Sequence, residues 1–272
     1  MSKIIKIYCE GKSGSHDYDI LEKVIAGLFV QIEPIGSIRG AGAIIQYKET
    51  EVVKSDFKIL FRDRDFDKPI PQNTILEQDK EREYFYYSYR NTIENYLFDT
   101  SVFFSFMKQN LLCKKYSINS EEDVDNRFVD AAEKIKYYQA VRHAMGKMRT
   151  HETNFGTKLT AKSGKLPERL DEEFCKNEAW SKIEKAKLLT DSWTEDNFLK
   201  IYQNFIDMFN KDFMKNLNFL IYFQGKDFAS SLKSILPNFP LENYYKFAKE
   251  QFDYHKFADL LQLRELIEKN VN

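Results

Sequence analysis

Phe57-Lys58-Ile59-Leu60-Phe61-Arg62-Asp63-Arg64-Asp65-Phe66-Asp67 is the stretch that decides the fold. Its first half is bulky and apolar, the pattern of a strand buried on both faces, as in a parallel sheet. The second half switches abruptly to acids and arginines. Asp63 and Asp65 stand two apart, so an extended backbone sends both carboxylates out on one side. Two carboxylates at the mouth of a buried strand are costly unless a positive group sits between them. Hydrated Mg2+ is the usual answer, because it takes one or two carboxylates and keeps water or phosphate oxygens as its other ligands. The competing reading is a set of solvated loop acids paired with Arg62 and Arg64, since a bare D-x-D is common. A calcium loop does not fit. Counted from Asp63, the sixth position is Lys68 rather than Gly, and the twelfth is Thr74 rather than Glu.

Working back towards the N-terminus, Ile4 to Cys9 is β-branched and aromatic and reads as a strand. Glu10-Gly11-Lys12-Ser13-Gly14-Ser15 follows as a turn, with Ser13 or Ser15 placed to cap a helix. Tyr18, Leu21, Val24, Ile25 and Leu28 then recur at helical spacing. Gln31 to Ile35 reads as a second strand, and Gly36 to Gly42 as a small-residue turn into a weaker helix. Strand and helix thus alternate up to Phe57, which predicts a mainly parallel sheet covered by helices. Ligands gather at the carboxyl ends of such strands. Glu10 and the Asp63/Asp65 pair both fall at such ends.

Beyond the acids, Pro69-Ile70-Pro71 breaks the chain and Glu83 to Arg90 reads as a fourth strand. Arg90-Asn91-Thr92-Ile93-Glu94-Asn95-Tyr96-Leu97 follows it and brings another carboxylate, Glu94, to a strand end. From Asp99 to Asn216 helical periodicity dominates. Within it, 150–169 is poor in apolar residues, and the lysines and arginines from Lys147 to Lys165 read as a basic loop, solvated or gripping a nucleic-acid backbone. Leu217 to Phe223 reads as a strand returning to the sheet, and Gly225-Lys226-Asp227 opens a helix. The expected organisation is a core over 1–98, a helical insertion over 99–216, and a returning strand with C-terminal helices packed on the core over 217–272.

Composition bounds the partners. Among 272 residues, acids and bases nearly cancel to a net charge of −1, so nucleic acid is not held by bulk attraction and requires a local patch. Three single cysteines, Cys9, Cys113 and Cys175, argue against a disulfide framework or structural zinc and suit a reducing cytoplasm. The opening residues are too short and too charged for a signal peptide, and no run is long and apolar enough to span a bilayer. There is no Walker A sequence and no G-x-S-x-G. No pair of histidines has metal-ligand spacing.

Strand–Glu10-Gly11-Lys12–helix followed by strand–Asp63-Arg64-Asp65 resembles the Toprim domain of topoisomerases, primases and the OLD-type nucleases. Ile93-Glu94-Asn95-Tyr96-Leu97 and Gly225-Lys226-Asp227 resemble more narrowly the stand-alone Toprim-like effectors of bacterial anti-phage systems, of the PARIS type that works with an ABC-type ATPase. The likeness covers about the first hundred residues and a short piece near Gly225. One departure is that Gly14-Ser15-His16 intervene before Asp17, where many Toprim sequences place an Asp soon after E-G-K-S.

The resemblance implies a metal-dependent endonuclease and defence effector cutting RNA, tRNA included, or DNA. It implies Mg2+ or Mn2+ held by Asp63 and Asp65, with Glu10 binding metal or moving a proton and Glu94 completing a second site. Lys12, Arg39, Arg62 and Arg64 would offset phosphate charge. Lys226 would reach the scissile phosphate, provided that Leu217 to Phe223 rejoins the sheet. Control by an ATPase partner and a homodimeric assembly are compatible with it. Two rivals stay open: a small-molecule phosphatase or other phosphoryl-transfer enzyme, and a catalytically inactive binding or regulatory module. Asp67 reads as a structural flank of the turn into Pro69.

Overall fold

The strands are where the apolar runs place them. In the computed structural model, which describes residues 3–36, 41–51, 54–66, 68–148, 156–160, 164–187 and 194–271, β1 spans Ile5–Cys9, β2 Gln31–Pro34 and β3 Phe57–Arg62. Every residue of β1 is buried, Lys6 included. The helices between them are α1, His16–Val24, and α2, Ala41–Glu51. β4, Glu77–Gln78, and β5, Phe85–Tyr87, complete a five-stranded sheet in the order β2-β1-β3-β5-β4. All neighbours run parallel except β4, which pairs antiparallel with β5. The chain is therefore an α/β protein with a mostly parallel sheet.

Two compact units divide the chain. The first holds Met1–Arg64, Pro71–Ile93 and Lys246–Asn272, and contains the sheet. One face of that sheet packs Tyr8, Leu60 and Phe85 against Ile35 and, from α2, Ala41 and Ile45. Lys6 and Tyr8 alternate onto this face and meet Glu49 of α2. The Tyr8 hydroxyl donates to Glu49 Oε1 at 2.5 Å, Lys6 Nζ lies 3.4 Å from the same atom, and Ser55 donates through N and Oγ to Oε2 at 3.0 and 2.7 Å. Burial alone would raise the Glu49 pKa. The hydrogen bonds from Tyr8 and Ser55 and the charge of Lys6 outweigh it and hold the carboxyl down at about 2.

The second unit holds Asp65–Ile70 and Glu94–Tyr245. A 3₁₀ turn over Ile93–Leu97 leads into α3, Thr100–Gln109, which Asp99 caps through Val102 N. After α4, Cys113–Tyr116, comes α5, Glu121–Met148, with Glu121, Glu122 and Asp123 in its first turn, where acids suit the helix dipole. At 28 residues α5 is about 42 Å long. The rest of the unit packs around it: α6, Glu172–Lys187; α7, Glu195–Met208; α8, Lys211–Lys215; α9, Phe219–Tyr222; and α10, Gly225–Ile235. Its core is aromatic. Phe128 of α5 meets Phe98, Phe103 and Phe228 with ring centroids 6.0, 5.1 and 5.5 Å apart, all edge-to-face. The chain then passes through α11, Leu241–Glu250, back into the first unit, where α12, Ala258–Val271, packs on α1. Arg264 of α12 donates to Val24 O at 2.7 Å.

Two expectations are corrected here. Leu217 to Phe223 does not return to the sheet: it forms the short helix α9 inside the helical unit. Its carbonyls at Leu220 and Phe223 accept hydrogen bonds from Asn95 Nδ2 at 2.9 and 2.8 Å, which gives the asparagine of Ile93–Leu97 a structural task. A short apolar run carries no period that separates a strand from one buried helical turn. The expected boundaries at 98 and 216 also differ from the observed division, because 94–98 and 217–245 belong to the helical unit.

Candidate functional site

The parallel register between β1 and β3 sets Cys9 opposite Phe61. Glu10 therefore leaves the sheet beside Arg62, one residue before Asp63, and the two carboxylates depart neighbouring strands at the same carboxyl edge. That is the position where open α/β sheets hold ligands. Gly11 makes the exit from β1 possible. Its φ is +90°, and a Cβ there would lie 2.7 Å from Ser15 Oγ, the group that accepts from Tyr18 N at 3.4 Å to cap α1. Lys12 is exposed on this loop. Cys9, one residue before Glu10, is buried, and burial followed by the charge of Asp17 pushes its thiol up to about 12. It is inert as a nucleophile.

Arg62 and Arg64, expected to offset phosphate charge, are both buried. Arg64 is fully buried: Nε donates to Ser88 O at 3.0 Å and Nη1 to Glu77 Oε2 at 2.5 Å, so the guanidinium ties the exit of β3 to the β4–β5 end of the sheet. Arg62, 7% exposed, donates through Nε to Asp63 O at 3.2 Å and lies over the Tyr87 ring at 5.3 Å. Arg39 and Asp67 lie outside the described residues.

Asp65 corrects the premise of an extended D-x-D. Strand β3 ends at Arg62, and Asp65 has φ +47°, a left-handed conformation that Asp tolerates better than most residues. Asp63 and Asp65 therefore do not project as alternate residues of one strand, although two residues of chain keep their Cα atoms within about 7 Å. The Asp65–Phe66 turn is seated on α5. Arg142 lies over the Phe66 ring at 4.2 Å, and His143 meets it edge-on at 4.8 Å. Gly146 clears room for the Phe66 backbone, since a Cβ there would come within 2.5 Å of Phe66 O. Gln224, just before α10, donates through Nε2 to Asp65 Oδ1 at 3.4 Å. Neither Gly146 nor Gln224 was picked out by sequence reasoning. A glycine in the middle of a long helix is the signal that marks the first; nothing in the sequence marks the second.

The helical unit also brings together Glu94 and Lys226. The carboxylate is 4% exposed, and its Oε1 lies 3.4 Å from Lys226 Nζ, on a side chain 55% exposed. Glu94 Oε2 is buried and has no hydrogen-bond partner among the described residues, an arrangement that native proteins rarely leave without a reason. Burial, and then the charge of Glu94, push the Tyr245 hydroxyl well above a tyrosine's ordinary range. His143 is no candidate acid or base. It bonds Tyr222 O at 2.9 Å and stacks on Phe205 at 4.7 Å, and burial lowers its pKa to about 3, so the ring is neutral. The described part of the basic loop is pinned down in places: Lys182 Nζ donates to Lys158 O at 2.6 Å, and Gly164 N to Asp227 Oδ1 at 3.4 Å.

Among the described residues, no group of three or more His, Cys, Asp or Glu side chains is placed so that it could hold a metal ion. The two carboxylates at one sheet edge, Glu10 and Asp63, offer oxygen donors alone. That set suits hydrated Mg2+ or Mn2+, which need few protein carboxylates, and does not suit structural zinc. No helix among the described residues is long and apolar enough to cross a membrane. No protein-family model matches the chain, and no similarity to a curated protein is found.

Proposed function

We propose that the chain is a divalent-metal-dependent nuclease of the Toprim kind that hydrolyses phosphodiester bonds in RNA or DNA. We further propose that it acts as an anti-phage effector in the cytoplasm under the control of a partner such as an ABC-type ATPase. The observation that carries the reading is the departure of Glu10 and Asp63 from neighbouring parallel strands at one carboxyl edge. Glu10 and Asp63 would hold Mg2+ or Mn2+. When bound, the ion supplies charge to a phosphoryl oxygen and lowers the pKa of water. Glu10 would also accept a proton from water. Lys12, exposed on the loop after β1, offers an ammonium to the substrate phosphate. Lys226 pairs with Glu94 within the helical unit; with Leu217–Phe223 outside the sheet, the condition for its reaching the scissile phosphate is not met.

The test is incubation of the protein with total RNA, tRNA and duplex and single-stranded DNA, in Mg2+, Mn2+ or EDTA, with and without the product of a neighbouring ATPase gene. Cleavage that needs the metal and is lost in Glu10→Ala and Asp63→Ala supports the proposal. Metal-dependent release of phosphate from small esters, with every polynucleotide intact, replaces it with a small-molecule phosphatase. An intact polynucleotide and no ester hydrolysis under any of these conditions refutes an enzymatic role.

A further inference from the structure

We propose that Arg90, Phe252, Tyr254, His255 and Phe257 form a stacking platform for single-stranded nucleic acid; this rests on the nuclease reading for the substrate it would serve. All five residues belong to the unit that contains the sheet. After α11 the chain makes a 3₁₀ turn over Tyr254–Lys256, which packs on α1 and α12. Asp253 caps the turn by accepting from His255 N at 3.0 Å. Phe252-Asp253-Tyr254-His255-Lys256-Phe257 thereby sets four rings within six residues. The rings form two pairs. Phe252 and Phe257 stack with centroids 5.5 Å apart and planes 10° from parallel, and Arg90 lies over the Phe257 ring at 4.9 Å. Tyr254 and His255 stack at 4.1 Å, and Arg264 lies over the Tyr254 ring at 5.6 Å.

These rings differ from those of the core. Phe103, Phe128 and Phe228 of the helical unit are fully buried, whereas Phe252, Tyr254 and Phe257 are half-buried and the His255 side chain is 66% exposed. A guanidinium laid over a ring adds a flat, weakly hydrated surface of the kind on which a base stacks. Every base has a π-face, so partly open rings recognise single strands without reading sequence, while bases in a duplex keep their faces covered. Arg90 and Lys256 bring positive charge, and Glu250 and Asp253 in the same segment bring exposed acids, so the surface works by stacking first and by charge second. Its position gives it a use. Arg90 stands three residues beyond β5, whose last residue, Tyr87, pairs with Arg62 of β3. Tyr89 N donates to Asp259 Oδ2 at 2.9 Å, which ties the start of α12 to this exit. The platform therefore borders the carboxyl edge of the sheet, one strand over from the end of β3 that leads into Asp63.

The experiment measures fluorescence anisotropy of fluorescein-labelled single strands of RNA and of DNA, about 12 nucleotides long, and of the matching duplexes, in EDTA so that neither metal nor cleavage enters. The full chain is compared with Phe252→Leu, Phe252→Tyr and His255→Ala, and thermal unfolding of each is recorded alongside. Leucine keeps the apolar side chain and removes the π-face; tyrosine restores the face. The proposal expects single strands of RNA, DNA or both to bind more tightly than duplex. It expects Phe252→Leu and His255→Ala to weaken that binding about 5-fold or more, with Phe252→Tyr close to wild type. Absence of single-strand binding, equal binding of duplex, or an affinity unchanged in folded Phe252→Leu and His255→Ala overturns the proposal. Platform-dependent binding by a wild type that cuts no polynucleotide in Mg2+ or Mn2+ removes the nuclease reading and leaves the binding surface in place. Cleavage by a wild type whose single-strand binding ignores all three substitutions removes the platform alone.

Discussion

Replacing Gly146 by alanine sets two physical effects against each other. Inside α5 the substitution should help, because alanine is favoured over glycine in a helix interior by about 1 kcal/mol. The structure sets sterics against that gain. The new Cβ would lie 2.5 Å from Phe66 O and 2.8 Å from Phe66 Cβ. Those distances fall about 0.9 and 0.6 Å short of ordinary van der Waals contact near 3.4 Å. The nearest obstacle is backbone, so no side chain can swing aside. Overpacking of this kind costs about 1–3 kcal/mol, which leaves a net loss of roughly 0–2 kcal/mol after the helix-propensity gain. Relief comes only by moving the Asp65–Phe66 turn, which follows Asp63 in the chain, so the proposed cleavage should fall further than stability. Gly42, in α2, supplies the control, since a Cβ there meets nothing within 4 Å. Gly42→Ala should stabilise by about 0.4–1 kcal/mol. Urea unfolding of both variants, with metal-dependent cleavage measured below the transition, decides the matter. If Gly146→Ala proved as stabilising as Gly42→Ala, with cleavage unchanged, the seating of the Asp65 turn on α5 would be refuted.

Other outcomes follow from the buried groups. His143 has its folded pKa lowered from 6.5 to about 3. The unfolded chain therefore binds the extra proton, and the stability this histidine confers is complete above pH 6.5 and lost as pH falls towards 3. In pH-resolved denaturation, His143→Gln, which keeps a donor for Tyr222 O, should show a shallower decline over that window. Glu49, lowered from 4.5 to about 2, acts with the same sign in a lower window: its contribution is complete above pH 4.5 and lost towards pH 2, and Glu49→Gln should remove that component. Phe128→Ala should cost about 3–5 kcal/mol, measured by denaturant unfolding, because its ring is fully buried among Phe98, Phe103 and Phe228.

Strands β1 and β3 were legible because buried parallel strands become continuous apolar runs, whereas β2, Gln-Ile-Glu-Pro, is at most half-buried and carries no such run. Ile4–Cys9, Gln31–Ile35 and Phe57–Phe61 differ from the observed strands by one residue at an end. Strand β4, two polar residues long, offers no pattern at all. Leu217–Phe223 misled because seven apolar-rich residues suit a strand and a buried helical turn alike. The site was legible as residue types and not as geometry. Glu10 and Asp63 could be placed at strand ends from sequence, since the β-α-β spacing fixes which ends adjoin. The fate of Arg64 could not, because Glu77 and Ser88, 13 and 24 residues away, are what turn its guanidinium inward. Asp65 could not either: its left-handed φ belongs to a turn moulded by Phe66 on α5, not to β3.

The most direct test of the central claim is calorimetric titration of Mn2+ into the wild-type protein, Glu10→Gln and Asp63→Asn, each shown to be folded by circular dichroism. The account predicts saturable binding by the wild type that falls at least about 10-fold in affinity in each variant, since both carboxylates serve one ion at one sheet edge. Equal binding by all three proteins would contradict it.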